Sequence, residues 1–309
     1  MGELLEELRE DLASSGFRSS VVSVQHLPDL KNDLGRLVEQ GIWDRGSYNQ
    51  LVSHYGLDFR FEPPGDFPAA QSIILTAAPQ PKVRARFKLR DTTYPAVIPP
   101  TYAHDTDETA SSIISEHLAR KGYRMSDAIL PVKLLAVHCG LAAYGKNNIT
   151  YVDGLGSFFR LRAFFSDVAC GSHIWQELKM MDTCRDCAAC SRACPTNAIS
   201  EGRFLIYVTR CLTYLNERED EFPEWIDPGW HNCLVGCMVC QDVCPVNKDH
   251  RDWIVDGEEF SEEETAMVLE GVSGRELPRE TIDKLRKLDL LGYRSVLQRN
   301  LSALTRSSG

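Results

Sequence analysis

The spacing of its cysteines constrains this chain more than any other feature. Nine of the eleven cysteines lie between positions 184 and 244. The first four form a C-x2-C-x2-C-x3-C run directly before Pro195, and the last three form a C-x2-C-x3-C run directly before Pro245. A run of the first kind gives three thiolates to one [4Fe-4S] cube and sends its fourth cysteine to a second cube. The sequence therefore predicts two cubes whose ligands cross between the runs.

The crossing rule assigns all but one of the ligands. The predicted ligands of the first cube are Cys184, Cys187, Cys190 and Cys244. The predicted ligands of the second cube include Cys194, Cys237 and Cys240. Because a cube takes four thiolates, the second cube needs one more.

Two cysteines compete for that last position. A regular repeat of the first run would put a thiol at position 234, but Leu234 stands there and Cys233 is one residue out of phase. Cys211 lies in a helical-looking segment between the runs. We expect Cys211 to be the eighth ligand and Cys233 to be a spare thiol, and the spacing alone leaves this choice open.

Zinc and disulfides are the alternatives to iron-sulfur ligation. Zinc sites commonly use four ligands in two C-x2-C pairs, with or without histidine, so two proline-terminated runs of three or four cysteines are less natural for zinc. Disulfides fit worse, because thiols at two-residue gaps pair badly and the acidic N-terminus shows no export signal. The pattern favours two [4Fe-4S] clusters.

Composition indicates a globular protein with room for two domains. The 309 residues are 43% hydrophobic and 25% charged, and no run approaches the ~20 apolar residues of a membrane helix. Clustered thiols without an export signal predict a cytoplasmic protein. The formal net charge is -10, and two clusters would bring it to about -14. This charge argues against broad nonspecific binding to nucleic acid, although a local basic patch could exist.

Apolar spacing predicts the main elements of the first half. Helices are expected over residues 1–14, 27–41 and 107–122, and a buried strand over 72–78. The cations that alternate from position 82 to 90 predict either a solvated edge strand, which we favour, or a surface that binds phosphate or carboxylate.

A second informative stretch lies at residues 127–153. A helix-like run is followed by the turn Gly145-Lys146-Asn147 and then by a strand. Backbone amides in such a turn could cradle an anionic group, and an ordinary tight turn is the alternative.

Several stretches together resemble the epoxyqueuosine reductase family, the cobalamin-dependent iron-sulfur enzymes that reduce a modified tRNA base, and more distantly the reductive dehalogenases. The matching stretches are GLAAYGKNN at 140–148, GSFFRLRAFFSDV at 156–168, the first cysteine run, CLTYLN at 211–216 and GCMVCQDVCPVN at 236–247. In that family CLTYLN carries a cluster ligand, which favours Cys211 over Cys233.

The resemblance implies an α+β fold, with a nitroreductase-like α/β cofactor domain followed by a bacterial ferredoxin-like 2[4Fe-4S] domain. We place the first domain at residues 1–175, the cluster domain at 176–255 and a short helical tail at 256–309. The first domain would bind cobalamin. The residues that the resemblance places near the corrinoid are Gly145, Lys146, Asn147, Ser157 and Phe158.

The chain departs from the family at the acidic proton donor. The family has an aspartate three residues before a proline, whereas Pro131 is preceded at that distance by Ala128, with Asp127 one place earlier. The candidate catalytic residues are Asp127, Tyr102 and His138. A helix cap, plain packing and a satisfied core histidine are their respective structural alternatives.

The predicted function is a reductase that passes low-potential electrons from a ferredoxin or flavodoxin through two clusters to a cobalamin. Because the net charge is negative and only about 60 residues follow the cysteines, where many relatives have long helical repeats, we expect a small electrophilic substrate in preference to tRNA. One alternative is a true epoxyqueuosine reductase acting on tRNA. Another is an electron-transfer or corrinoid-reducing accessory protein without a substrate of its own.

Overall fold

The predicted periodicities appear as helices and strands over most of the chain. A computed structural model describes residues 2–43, 46, 48–49, 52, 59–102, 105–200, 202, 204–271 and 277–307. The α-helices are Gly2–Ser14 (α1), Leu27–Glu39 (α2), Asp105–Ala119 (α3), Val132–His138 (α4), Ala189–Ala193 (α5), Leu212–Glu217 (α6), Val239–Asp242 (α7), Glu262–Glu270 (α8), Arg279–Lys287 (α9) and Arg294–Ser307 (α10). The β-strands are Arg18–Ser23 (β1), Ser72–Pro79 (β2), Lys82–Leu89 (β3), Thr92–Ile98 (β4), Met125–Asp127 (β5), Ala143–Tyr144 (β6), Thr150–Tyr151 (β7), Phe159–Ser166 (β8) and Ile254–Phe260 (β9).

The chain divides into two compact units. The first comprises Met1–Pro79, Asp105–Cys187 and Gly202–Leu205, and the second comprises Gln80–His104, Ala188–Glu201 and Ile206–Gly309. This division differs from the three predicted domains, because residues 80–104 leave the first unit and residues 256–309 share the second unit with most of the cysteines. Each unit combines helices with its own sheet, so the predicted α+β class is confirmed.

A four-stranded antiparallel sheet in the order β1-β2-β8-β5 forms the centre of the first unit. Its strand β2 is apolar and buried along nearly its whole length. Ile74 belongs to a core cluster with Leu8 of α1 and Ile114 of α3, whereas Ile73 belongs to a second cluster with Leu30 of α2. Successive strand residues point to opposite faces, so one apolar strand serves two cores.

The second unit contains a three-stranded sheet in the order β4-β3-β9. Strand β3 carries the alternating cations and lies in the middle, antiparallel to β4 and parallel to β9. The predicted edge strand is therefore wrong. Acidic residues of β9 neutralise the cations: Arg84 and Arg86 lie 3.3 and 2.8 Å from Asp256, and Lys88 pairs with Glu259. Local sequence could not show this pairing, because Arg86 and Asp256 are 170 residues apart.

Helices α8, α9 and α10 and the sheet share one core in the second unit. Phe87 and Phe260 stack with ring centroids 4.5 Å apart, and Leu301 of α10 and Leu234 belong to the same buried cluster. The segment around Leu234, between Cys233 and Cys237, is thereby fixed to the interior of this unit. No helix within the described residues is long and apolar enough to cross a membrane.

Candidate iron-sulfur site

Three thiols from separate stretches come together in the second unit. Cys194 ends α5, Cys211 precedes α6 and Cys237 precedes α7. The pKa of Cys237 is raised to about 11, mainly by burial, and the neighbouring thiols of Cys211 and Cys194 make small contributions in the same direction. Burial also raises the pKa of Cys211, with a smaller contribution from Cys194. Mutual effects of this kind require proximity, so Cys211 lies beside two predicted ligands of the second cube.

Hydrogen-bond donors lie next to the sulfurs of Cys211 and Cys237. The Asn232 side-chain amide donates to Cys237 Sγ at 3.3 Å. Hydrogen bonds from the backbone N–H groups of Thr213 and Tyr214 favour the thiolate of Cys211 and lower its pKa against the effect of burial. Hydrogen bonds to the sulfurs stabilise a buried anionic cluster and help to set its reduction potential. The local chemistry therefore fits thiolate ligands.

All eleven cysteines are free thiols. Among the described residues, no group of three or more His, Cys, Asp or Glu side chains is arranged around a single ion. A [4Fe-4S] cube instead distributes its four thiolates over four iron atoms. The residues that would hold the second cube are Cys194, Cys211, Cys237 and Cys240.

Cys233 has different surroundings although it is also buried. Its side chain is fully inaccessible, and its thiol donates to Asn232 Oδ1 at 3.1 Å. Burial raises the pKa of Cys233 well above its usual value, and Cys237 and Asp242 add smaller effects in the same direction. A thiol that is already used as a hydrogen-bond donor in an apolar interior supports its assignment as the spare cysteine.

Buried amides connect the segments that carry Cys211 and Cys237. Asn300 of α10 donates to the carbonyl oxygens of Asn216 and Leu234 at 2.8 and 2.9 Å. Asn216 in turn donates to Gly236 O at 2.7 Å, and both asparagines are almost inaccessible. Because these bonds satisfy buried backbone carbonyls, they hold the two cysteine-bearing stretches in a fixed arrangement.

The predicted ligands of the first cube lie on both units. Cys184 and Cys187 belong to the first unit. Cys190 and Cys244 belong to the second, where each is 9% exposed. Cys244 has the extended backbone that a following proline favours, with φ -70° and ψ 123°. The first cube would take these four thiolates, and this assignment stays a prediction.

The glycine-lysine-asparagine turn is joined to the start of the first cysteine run within the first unit. Tyr144 of β6 exchanges backbone hydrogen bonds with residues 179 and 181 at 2.9 and 2.8 Å. The Lys146 ammonium donates to the backbone carbonyl of Cys187 at 2.7 Å. Two stretches that the sequence indicated separately are therefore in contact.

The candidate catalytic residues lie in three different environments. Asp127 ends β5, is largely exposed and lies 2.7 Å from Arg162 Nη2. His138 is buried at the end of α4, between Gln176 O at 2.6 Å and Asp33 Oδ2 at 2.7 Å. Within the described residues, only Nδ1 of His138 makes a hydrogen bond, because its buried Nε2 lies near Asp33 without hydrogen-bond geometry. The catalytic roles of both residues stay predictions.

Tyr102 lies in the second unit. Its hydroxyl donates to the buried carboxylate of Glu217, and its ring packs at 5.6 Å from that of Tyr293. A Cβ on Gly236 would lie only 2.7 Å from the Tyr102 hydroxyl oxygen. Tyr102 thus packs against the segment between Cys233 and Cys237, and its catalytic role stays a prediction.

The residues predicted to contact a corrinoid are mostly covered by protein. Asn147, Ser157 and Phe158 are 3%, 2% and 0% exposed. The Asn147 amide donates to the Tyr151 hydroxyl at 2.9 Å, and a Cβ on Gly145 would lie 2.6 Å from the Tyr151 ring. As they stand, these side chains do not offer an open surface to a large ring. Their cobalamin contacts stay predictions.

The sequence predictions missed the residues that organise the site. Asn232 contacts both Cys237 and Cys233, and Asn300 connects the stretches around Cys211 and Cys233. Asparagine on the apolar face of a predicted helix, three or four residues from Val296, Leu297 and Leu304, is a usable signal, because a buried amide requires partners. In the sequence SVLQRNLSAL, Asn300 stands at such a position.

Comparison with known proteins extends these observations to the whole chain. Residues 183–247 match the family described as a 4Fe-4S double cluster binding domain, so the prediction of two [4Fe-4S] clusters is confirmed. The epoxyqueuosine reductase of Cyclobacterium marinum is 33% identical over 160 residues, which cover 50% of this chain and 48% of that protein. The aligned region thus spans about half the length of this curated relative.

Two solved structures match nearly the entire chain. Epoxyqueuosine reductase from Streptococcus thermophilus has a TM-score of 0.64 at 15% identity, covering 98% of this chain and 81% of that one. An epoxyqueuosine reductase with an epoxyqueuosine-modified tRNA-Tyr stem loop has a TM-score of 0.62 at 20% identity, covering 99% and 81%. At these identities the match establishes the fold.

The bound stem loop corrects one prediction. We expected a small-molecule substrate in preference to tRNA, and the complex of a protein of the same fold with a modified tRNA stem loop contradicts that preference. The expectation relied on the net charge of -10 and on the short stretch that follows the cysteines. Net charge is a poor guide here, because a bound nucleic acid meets a local surface and not the average of the whole molecule. In sequence this chain is similar to the epoxyqueuosine reductases, and it shares their fold, as the family resemblance implied.

Proposed function

We propose that this chain reduces epoxyqueuosine in tRNA with electrons delivered through two [4Fe-4S] clusters. The observation that carries the proposal is that Cys194, Cys211 and Cys237 lie in one group, with hydrogen-bond donors to the sulfurs of Cys211 and Cys237. The double-cluster match over residues 183–247 supports it. So does the similarity to epoxyqueuosine reductases, one of which was solved with a modified tRNA stem loop.

The stoichiometry of the reaction suits a protein with two clusters. Removal of an epoxide oxygen as water consumes two electrons and two protons. Each [4Fe-4S] cluster, when bound, carries one electron at low potential. The chain's own residues have two tasks: the cysteines and the amides around them hold the electron carriers, and a further side chain must hold a proton near the epoxide oxygen.

Asp127 is our first choice for that proton. It lies on an exposed strand end, where a bulky substrate can approach, and its carboxylate is fixed by Arg162 at 2.7 Å. We expect Asp127→Asn to lower turnover at least 100-fold, in the range of a lost general acid, while both clusters remain bound. Asp107→Asn is a matched control, since Asp107 also contacts Arg162, at 3.3 Å, and is largely buried. Equal activity of the two variants would remove Asp127 from the catalytic residues.

Cobalamin dependence is a further part of the proposal, supported by the family resemblance. Such a cofactor supplies a strongly nucleophilic metal centre for electrophilic carbon. Addition of cobalamin to the protein should shift its absorbance to the base-off form. An unchanged spectrum would show that this chain binds no corrinoid. A cytoplasmic location also belongs to the proposal, because it would keep the ligand thiols reduced.

The deciding experiment is a single-turnover assay. Protein purified without oxygen, with both clusters reduced by dithionite and cobalamin added, is mixed with an epoxyqueuosine-modified tRNA-Tyr stem loop. We expect the mass of the modified nucleoside to fall by one oxygen atom. The same stem loop carrying guanosine at the modified position should stay unchanged. Full reduction of both clusters without any product would contradict the proposal and favour an electron-transfer protein.

A further inference from the structure

Lys146 is the charged side chain that connects the hairpin turn to the first cysteine run. Its ammonium donates to Cys187 O at 2.7 Å. Among the described residues, it forms no ion pair with any carboxylate, so its charge is not neutralised locally. The neighbouring cations of this run differ, because Lys179 and Arg185 both lie within 4 Å of Asp182 and are largely exposed.

The turn that carries Lys146 is rigid. Gly145 N donates to Ile149 O at 2.7 Å, and Asn148 adopts a left-handed backbone with φ 62°. The Asn147 side chain bonds to Tyr151 at 2.9 Å, which fixes the residue next to Lys146. The hairpin therefore fixes the backbone position from which the Lys146 side chain reaches the Cys187 carbonyl.

We infer that Lys146 sets the reduction potential of the first cluster. This inference rests on the proposed ligation of that cluster by Cys187. Reduction adds one electron to a cluster that is already anionic, and it moves no atom and no proton at Lys146. A nearby positive charge stabilises the more negative, reduced state, and charge is one of the main determinants of cluster potential. Lys146 therefore makes the first cluster easier to reduce.

The test is a redox titration of protein with both clusters bound, followed by electron paramagnetic resonance. In Lys146→Met we expect one of the two midpoints to become more negative. At the wild-type midpoint, the ratio of reduced to oxidised first cluster should fall about tenfold, which corresponds to about 59 mV for one electron. Lys146→Arg keeps the charge and should restore the wild-type midpoint. Lys179→Met removes a cation that Asp182 already neutralises and should move neither midpoint.

Lys146→Gln separates the charge from the hydrogen bond. Its amide keeps a hydrogen-bond donor on a side chain that is one bond shorter, while the charge is lost. We expect this variant to bind about eight irons and to show the same shift as Lys146→Met. A wild-type midpoint in Lys146→Gln, or an equal shift in Lys146→Arg, would overturn the inference. The midpoint potential is measured independently of tRNA turnover, so the two proposals can fail separately. Unshifted midpoints in the Lys146 variants, with full turnover by the wild type, would reject only the role of Lys146. Shifted midpoints, with no turnover by the wild type, would reject only the proposed tRNA substrate.

Discussion

Cys211 and Cys233 are both thiols of the second unit, Cys211 half-buried and Cys233 fully buried, and their neighbours differ. Cys211 lies beside Cys194 and Cys237, and backbone N–H groups favour its thiolate. Cys233 donates its proton to Asn232 Oδ1, and its pKa is raised well above the usual value. The pKa of both thiols is raised, but Cys211 has more hydrogen-bond donors that favour its thiolate than Cys233 has.

This difference supports the prediction that Cys211 is a cluster ligand and Cys233 is a structural cysteine. Burial does not distinguish the two cysteines, since it raises the pKa of both thiols. Chain position does not favour Cys211 either, because Cys233 is nearer than Cys211 to the second cysteine run. What differs is the balance of donors and acceptors. Three hydrogen bonds from Thr213 and Tyr214 favour the thiolate of Cys211, whereas Cys233 has one such bond, from Met238 N–H, and donates its own proton to Asn232 Oδ1.

The largest effect that this comparison predicts is on the iron content of two serine variants. Cys211→Ser removes a proposed ligand, so we expect it to lose about four of the roughly eight irons per chain. Cys233→Ser should keep about eight, because its hydroxyl can still donate to Asn232. Iron and sulfide analysis after anaerobic reconstitution measures both. Loss of four irons from Cys233→Ser, with full iron in Cys211→Ser, would reverse the assignment.

The same pair of cysteines marks the limit of what the sequence could predict. Spacing identified the two runs and predicted seven ligands, because short gaps around a cube leave few alternatives. Apolar periodicity likewise predicted α1, α2, α3 and β2. Spacing could not choose between Cys211 and Cys233, since that choice depends on which donors the fold brings to each sulfur.

Long-range pairing explains why the predicted position of strand β3 was wrong. Strand β3 was expected at an edge, because its alternating cations suggest a solvated face, and it is central because the acidic strand β9 pairs with it. The contact between Lys146 and Cys187 O spans 41 residues and joins two motifs that had no visible connection in the sequence. Both features depend on tertiary structure that local patterns do not contain.

Asn300 provides a second, smaller test, because it bonds to the segments that carry both cysteines. Asn300→Leu leaves the carbonyl oxygens of Asn216 and Leu234 without their donor in a buried place. Each stranded group costs about 1–3 kcal/mol, so we expect the free energy of unfolding to fall by about 3 kcal/mol. The unfolding midpoint in denaturant, measured without oxygen on protein with both clusters bound, gives this value.

The exposed neighbour Gln298 supplies a control for Asn300. Gln298 lies two residues before Asn300 on the same helix and is exposed. Gln298→Leu should therefore change the free energy of unfolding by less than about 0.5 kcal/mol. Both variants should keep about eight irons per folded chain, since neither touches a sulfur. A stable Asn300→Leu protein with half the iron would mean that the amide acts on the cluster itself.

The smallest expected effect concerns the proton on Cys233. Its pKa lies well above 9 in the folded chain, so above about pH 9 the unfolded chain releases a proton that the folded chain retains. The folded state then binds more protons, and the free energy of unfolding falls as the pH rises, by at most about 1.4 kcal/mol per pH unit. Cys233→Ala lacks this proton. Its stability deficit relative to wild type should therefore be constant from pH 6 to 8 and shrink between pH 9 and 10.

Val235→Ala is the matched control for this pH effect, because Val235 is equally inaccessible and cannot titrate. The melting temperatures of the three proteins at pH 7 and pH 10 are compared with the clusters bound. We expect the gap between wild type and Val235→Ala to be the same at both pH values, while the gap to Cys233→Ala narrows. If both gaps stay constant, Cys233 does not retain its proton in the folded chain, and the distinction drawn between it and Cys211 loses its electrostatic basis.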